Sequence, residues 1–287
     1  MIWQWCTRVV WALVPVTTGA ALADAIVSWS TAPARVAAAL LWVAWAAGLF
    51  ALFAPRPWGL TLLRIVAPCG FLCVVLSVSS TSTSAAVIAL AGSGIAAVLA
   101  LSEPIASATA NALAYGDEQR FMLRIPMPLL LGPIPVAVLL VGAGAVSGPL
   151  LLSDGRFVVG ALVTIVGIPL AFVITRVLHP LSCRWFVLVP AGIAIADPLT
   201  LTDPVLVRRE HIAALRRTAS TQLPAGALDV RLGTLAGAVT MELSEPVEFG
   251  RRRGRANAAI IETTLLAVAV VRADAALADA RGRRINA

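Results

Sequence analysis

RIVAPCGFLCVVLSVSSTSTSAAVIALAGSGIAAVLALSE, residues 64–103, holds 38 consecutive uncharged residues between Arg64 and Glu103, broken only by a Ser/Thr cluster from Ser77 to Ser84. A bilayer crossing takes about 20 apolar residues, so the stretch is too long for one span and fits two joined by a polar turn. It predicts a chain that crosses a membrane more than once.

Composition extends that reading to the whole chain. Hydrophobic residues make up 59% and charged residues 13%, with mean hydropathy +0.90, against about 25% charged in soluble domains. All 22 basic residues are Arg, a pattern of GC-rich codons rather than a choice of chemistry. Cys6, Cys69, Cys73 and Cys183 lie in or beside apolar runs and give no disulfide framework.

Six spans are placed near 9–28, 36–54, 61–79, 84–102, 127–147 and 157–178, within a transmembrane domain of residues 1–182. Only a helix satisfies its own backbone in lipid, so each run is read as a helix despite Pro15, Pro68, Pro133, Pro135 and Pro169, which predict kinks. Trp3, Trp5, Trp11, Trp29 and Trp58 fall near span ends, as interfacial rings do, whereas Trp42 and Trp45 sit mid-span. The small residues Ala21-Leu22-Ala23 resemble a cleavage site, but the n-region has only Arg8 and more spans follow, so an uncleaved first helix is expected.

With the N-terminus inside, the cytoplasmic segments carry Arg8, Arg56, Arg64 (at the inner end of its span), Arg120 and Arg124, and the outer loops carry Arg35 and Arg156. The positive-inside bias therefore predicts a multi-pass plasma-membrane protein with its N-terminus and C-terminal tail in the cytoplasm.

After Arg184 the apolar runs become too short to span, and residues 183–287 read as a small β-rich soluble domain expected to fold alone. Residues 185–189 and 193–196 form a hairpin around Pro190-Ala191-Gly192. Asp197-Pro198 and Asp203-Pro204 mark turns around a brief strand at 199–202. Ile212 and Leu215 share a helical face, which predicts a short helix over 208–217. Strands are expected at 228–232, 238–243 and 258–271, the last as a strand or strand pair, and a closing helix at 274–284.

These residues carry a resemblance. Arg184-Trp185-Phe186-Val187-Leu188-Val189-Pro190-Ala191-Gly192, Asp203-Pro204-Val205-Leu206, Arg208-Arg209 and the ending from Leu265-Leu266 to Arg284 resemble a family of uncharacterised actinobacterial integral membrane proteins. The resemblance covers about the last third and implies a pleckstrin-homology-like cytoplasmic domain, a bent antiparallel barrel capped by a C-terminal helix. That fold hosts lipid binding, protein docking and oligomerisation alike.

Two places invite a functional reading. Arg251, Arg252, Arg253 and Arg255, in a loop expected between Glu248 and Asn257, suit anionic headgroups or a cytoplasmic protein; the plainer reading is a solvated loop. Nucleic acid is disfavoured, because the tail's ten acids against 14 Arg leave +4 and no aromatic platform accompanies the cluster. Asp24 is the one carboxylate inside a span, an intramembrane polar site or, close to Trp29, a side chain that reaches the outer interface.

Other features read as structure. Cys69 and Cys73 lack partner ligands, and His179 and His211 stand apart. Gly92-Ser93-Gly94-Ile95-Ala96-Ala97 fits a dinucleotide fingerprint in letters only, since it lies inside an apolar run. Those glycines, with Gly19 and Ala23, Ala44 and Gly48, and Gly142, Gly144 and Gly148, are read as helix-packing positions. No catalytic motif occurs, so no enzymatic activity, cofactor or metal is expected. The favoured function is a membrane-tethered binding or scaffolding module, acting on a protein partner, an anionic lipid surface or another copy of itself. The alternative is a small-solute transporter or channel with a regulatory tail.

Overall fold

The computed structural model of the chain describes residues 2–219, 221–254 and 257–286. It divides into two units, Met1–Thr109 with Pro133–His179, and Ala110–Gly132 with Pro180–Ala287. The helical unit holds α1 (Ile2–Ile26), α2 (Thr31–Phe53), α3 (Pro57–Ser77), α4 (Thr83–Leu101), α7 (Pro133–Ser153) and α8 (Phe157–Leu178). The short α5 (Glu103–Asn111) follows α4, and α6 (Met127–Leu131) precedes α7.

Six helical stretches, Ile2–Ile26, Thr31–Phe53, Pro57–Ser80, Thr83–Leu101, Met127–Ser153 and Phe157–Ser182, are long and apolar enough to cross a membrane, matching the six expected spans. Side chains such as Val16 (78% exposed) and Ile165 (70%) face outward from the bundle, a surface that lipid covers and water would not tolerate. The protein is a multi-pass membrane protein. The fifth span is interrupted at Gly132, where φ −128 and ψ −86 leave the helical region. Pro133 explains the break: it has no N–H, and it drives the residue before it away from helix.

Within the bundle α3 packs against α1, α2, α4 and α7, and α8 packs chiefly on α7. Close backbone approach at Gly144 and Gly167 draws α7 and α8 together: a Cβ on Gly144 would lie 2.6 Å from the Gly167 carbonyl oxygen. Gly148 meets Thr164 and Gly160 meets Leu152 in the same way. Gly144 and Gly148 are four apart, the small-residue spacing that lets membrane helices touch. The packing role expected of Gly142 is met against Cys69, and that of Gly92 against Thr17. Gly19 departs from it, with nothing within 4 Å of a Cβ built there.

The β-rich unit contains β1 (Gln119–Met122), β2 (Trp185–Val189), β3 (Gly192–Ala196), β4 (Val205–Arg208), β5 (Ile212–Arg217), β6 (Leu228–Asp229), β7 (Ala238–Arg253), β8 (Asn257–Ala269) and α9 (Ala273–Gly282). One sheet has the order β1-β2-β3-β4 and the other β5-β7-β8-β6. All pairs are antiparallel except β6 with β8. Phe186, Leu188, Ile193 and Ile195 of the first sheet, Leu215, Met241, Leu266 and Val268 of the second, and Ala276, Leu277 and Ala280 of α9 share one core.

The first strand is the main departure from expectation. The tail of residues 183–287 does not complete its first sheet by itself: the edge strand β1 comes from the connection between the fourth and fifth spans, and Phe121 and Leu123 enter the core. Gln119 faces Leu188 and Met122 faces Trp185 in β2. Beyond β1, Leu123 bridges Val270, and the Arg124 N–H donates to the Ala269 carbonyl at 2.8 Å, so this segment ties both sheets at one corner. The Asn111 side chain holds the Arg120 backbone at both ends, accepting from its N–H (2.8 Å) and donating to its carbonyl (3.0 Å). Because one fold takes in both segments, the connection after the fourth span and the tail after the sixth lie on the same side of the membrane.

Smaller differences have local causes. The expected helix over 208–217 is a 3-10 turn, Arg209–His211, followed by strand β5. A bulge between Ile212 and Ala214 turns Ile212 and Leu215 to the same side, so a strand meets the i, i+3 spacing that suggested a helix. The brief strand at 199–202 reduces to a single bridge, Leu201 with Arg251. The strand expected at 238–243 continues to Arg253 past Pro246, which lies within the register shift between Glu242 and Val247, where a missing N–H is tolerated. The run at 258–271 is one strand, β8.

Candidate functional site

The basic cluster lies on the end of a long hairpin rather than in a loop. Arg251, Arg252 and Arg253 are the last residues of β7 and pair across to Ala259, Ala258 and Asn257 of β8. Arg255 lies outside the described residues. Strand alternation places Arg251 and Arg253 on one face and Arg252 on the other, so the arginines ring the hairpin end instead of forming a one-sided patch. Arg252 is held in place, its N–H donating to the Thr200 carbonyl (2.8 Å) and its Nε–H to the Leu201 carbonyl (3.0 Å). All three arginines are exposed, as is Ile260 at 75%. The end of the hairpin thus combines exposed positive charge, held in place at Arg252, with a bare apolar side chain.

Arg251 also bears on Asp229. Burial pulls the Asp229 carboxyl upward, but hydrogen bonds from the Arg231 side chain and N–H outweigh it, and the charges of Arg231 and Arg251 add to the net lowering. The Arg231 Nε–H and Nη2–H meet the two Asp229 oxygens at 2.9 and 2.8 Å.

Asp24 sits in the last turn of α1, exposed, and accepts a hydrogen bond from the Thr81 hydroxyl at 2.7 Å. The structure therefore ties it to the connection between α3 and α4, and it takes no part in the cavity described next. His179 Nδ1 lies 3.1 Å from the Thr61 hydroxyl, and His211 pairs with Glu245. Cys69 donates weakly to the Val138 carbonyl at 3.6 Å, a packing contact between α3 and α7. The expected sites are thus not brought together into one constellation.

Sequence reasoning did not anticipate a half-open cavity of about 340 Å³ in the helical unit, lined from α1, α2, α3 and α4 and reaching the outer surface at Trp42, which is 57% exposed. α1 contributes Trp11, Pro15, Thr18, Leu22 and Ile26, one side of the helix at successive turns. Trp42 and Trp45 wall it from α2, and Ala67, Gly70, Phe71 and Val74 from α3. Its two hydroxyls are engaged within their own helices: Thr18 donates to the Val14 carbonyl (2.8 Å) and Ser93 to the Ala89 carbonyl (2.6 Å). The lining therefore presents hydrocarbon and aromatic surface.

The mid-span tryptophans find their reason here. Pro15 cannot give the N–H that a helix would direct to the Trp11 carbonyl, and the Trp45 indole N–H supplies it at 2.9 Å. The Trp11 indole returns the bond to the Trp45 carbonyl, also at 2.9 Å. Trp42 stands edge-on to Trp45, ring centroids 5.4 Å apart. The available signal was the pairing of a mid-span proline with two polar-tipped aromatics at similar depth. Comparison of the chain with protein-family models, with curated proteins and with solved structures returned no match.

Proposed function

We propose that the protein is a membrane-anchored binding module whose β-rich unit lies on the cytoplasmic side and engages the anionic bilayer surface through the β7–β8 hairpin end. The observation that carries this is the exposure of Arg251, Arg252 and Arg253 around a hairpin that also bares Ile260. Basic residues near an anionic surface contribute on the order of 1 kcal/mol each, and anchoring by six spans raises the local concentration of the surface engaged.

Two sheets around one core, closed by α9, support the pleckstrin-homology-like resemblance. The parallel β6–β8 pair and the strand drawn from between two spans depart from it. The cytoplasmic placement rests on Arg8, Arg56, Arg64, Arg120 and Arg124 against Arg35 and Arg156. The hydrocarbon lining of the helical unit's cavity favours this reading over a carrier for polar solutes, which needs polar groups at mid-depth.

The test is hydrogen exchange on the full chain in nanodiscs of phosphatidylcholine alone or with one third phosphatidylglycerol. Protection of residues 247–262 only in the anionic discs, lost with added salt and in Arg251→Glu/Arg252→Glu/Arg253→Glu, is the expected result. The three reversals together weaken the contact by about a hundredfold or more. Equal exchange in both discs sinks the proposal.

A further inference from the structure

We propose that the cavity among α1, α2, α3 and α4 is a binding slot for one hydrocarbon chain of a membrane lipid. Shape comes first. Its lining runs along α1 from Trp11 to Ile26, a rise of about 22 Å at 1.5 Å per residue, while its volume is about 340 Å³. A half-open void that follows one helix for about four turns is an elongated slot, suited to an extended chain lying along it.

Chemistry selects the same occupant. Ordered water needs two to four polar partners, and the lining's hydroxyls, on Thr18 and Ser93, are already bonded to the Val14 and Ala89 carbonyls. An unfilled slot forfeits the dispersion contacts of every side chain around it. The surrounding medium is itself a reservoir of hydrocarbon chains, because the unit crosses the bilayer.

The slot is also kept open in a way the remaining helix contacts are not. Gly144, Gly148, Gly160 and Gly167 are crowded by a neighbouring helix, and each would clash if given a Cβ. Gly19 and Gly70, on opposite sides of the slot, would meet nothing within 4 Å. Neither has a positive φ. Packing and backbone conformation therefore leave these two glycines unexplained, whereas an occupant passing between α1 and α3 accounts for both. The Trp11–Trp45 hydrogen bonds fix the aromatic wall on the α2 side, so the slot has a rigid border.

The experiment uses the full chain, purified and delipidated, with a phosphatidylglycerol probe carrying a diazirine near the end of one acyl chain. After irradiation, peptide mapping is expected to place adducts on slot residues such as Val14, Leu22, Val66 and Phe71, above the level at outward-facing Val16 and Ile165. Gly19→Leu fills the slot and abolishes the inner adducts while leaving the outer ones; Gly70→Leu does the same from α3 should the first variant not fold. Inner adducts that survive both substitutions overturn the proposal. So does labelling confined to the outer faces, or a slot that admits xenon but no chain. The hairpin arginines belong to the other unit, so this result is independent of headgroup binding there.

Discussion

Arg184 and Asp197 form a two-pronged ion pair inside the β-rich unit, Nε and Nη2 each 2.8 Å from a carboxylate oxygen, with side chains 1% and 0% exposed. Every arm of the pair is used. Asp197 also accepts from the Thr200 hydroxyl (2.8 Å) and the Leu199 N–H (3.1 Å), and the Arg184 Nη1–H donates to the Arg124 carbonyl at 2.7 Å. Arg184 stands just before β2 and Asp197 just after β3, while Arg124 follows β1, so one guanidinium fastens three chain segments.

Removing one partner leaves a buried charge without compensation, which costs about 3–5 kcal/mol in other proteins. Asp197→Ala is expected to lose that much in the β-rich unit, read as a lowered unfolding midpoint and faster amide exchange in β1, β2 and β3. The double variant Arg184→Met/Asp197→Leu, with no stranded charge, is expected to recover most of it. Equal destabilisation of single and double variants refutes the account.

The Trp11–Trp45 exchange makes a second prediction through Pro15. In Trp45→Phe the Trp11 carbonyl loses its donor, at a cost of about 0.6–1.7 kcal/mol for a hydrogen bond between membrane helices. Pro15→Ala restores a backbone N–H to that carbonyl, so Trp45→Phe is expected to cost less in the Pro15→Ala background. A double-mutant cycle on unfolding in bicelles measures the coupling, and strict additivity refutes it.

The contrast between legible and illegible parts has a physical basis. Lipid forces each span to read as an unbroken apolar run, and all six follow from hydropathy alone. β1 is four residues long and pairs with residues more than sixty positions away. Its only local trace is the short apolar run Phe121-Met122-Leu123 between Arg120 and Arg124, whose charges read as loop. Asp197 looked like a turn residue because Pro198 follows it; its turn is present, with the Thr200 and Leu201 N–H groups bonded to its carbonyl, but its carboxylate is in the core. Small residues in a span mark close contact at Gly144 and open space at Gly19, and only the neighbouring helix distinguishes the two.

That difference is measurable with alanine. Gly144→Ala pushes a methyl group toward the Gly167 carbonyl and is expected to destabilise the α7–α8 contact by about 1–3 kcal/mol, as overpacking does. Gly19→Ala meets open space and gains helix propensity of up to about 1 kcal/mol. Unfolding measured in one lipid system is expected to order the variants Gly19→Ala, wild type, Gly144→Ala from most to least stable. A Gly144→Ala protein as stable as wild type would refute the close approach.

Acid is expected to loosen the β-rich unit, with Asp229 and Glu118 contributing. Both carboxyls lie below their ordinary values. At Asp229, burial acts upward and is outweighed by Arg231; at Glu118, the hydrogen bond from Arg120 dominates. A depressed folded-state value means that the folded protein holds its proton less readily than the unfolded chain. The stabilisation is therefore complete above the ordinary carboxylate range near pH 4 and is lost as pH falls through the lower folded value. Asp229→Asn removes one proton-linked group and should flatten the stability profile of the β-rich unit between about pH 5 and pH 2. Hydrogen exchange of β6 and β8 across that range provides the readout, and an unchanged acid slope in the variant would show that the Asp229–Arg231 contact contributes nothing to it.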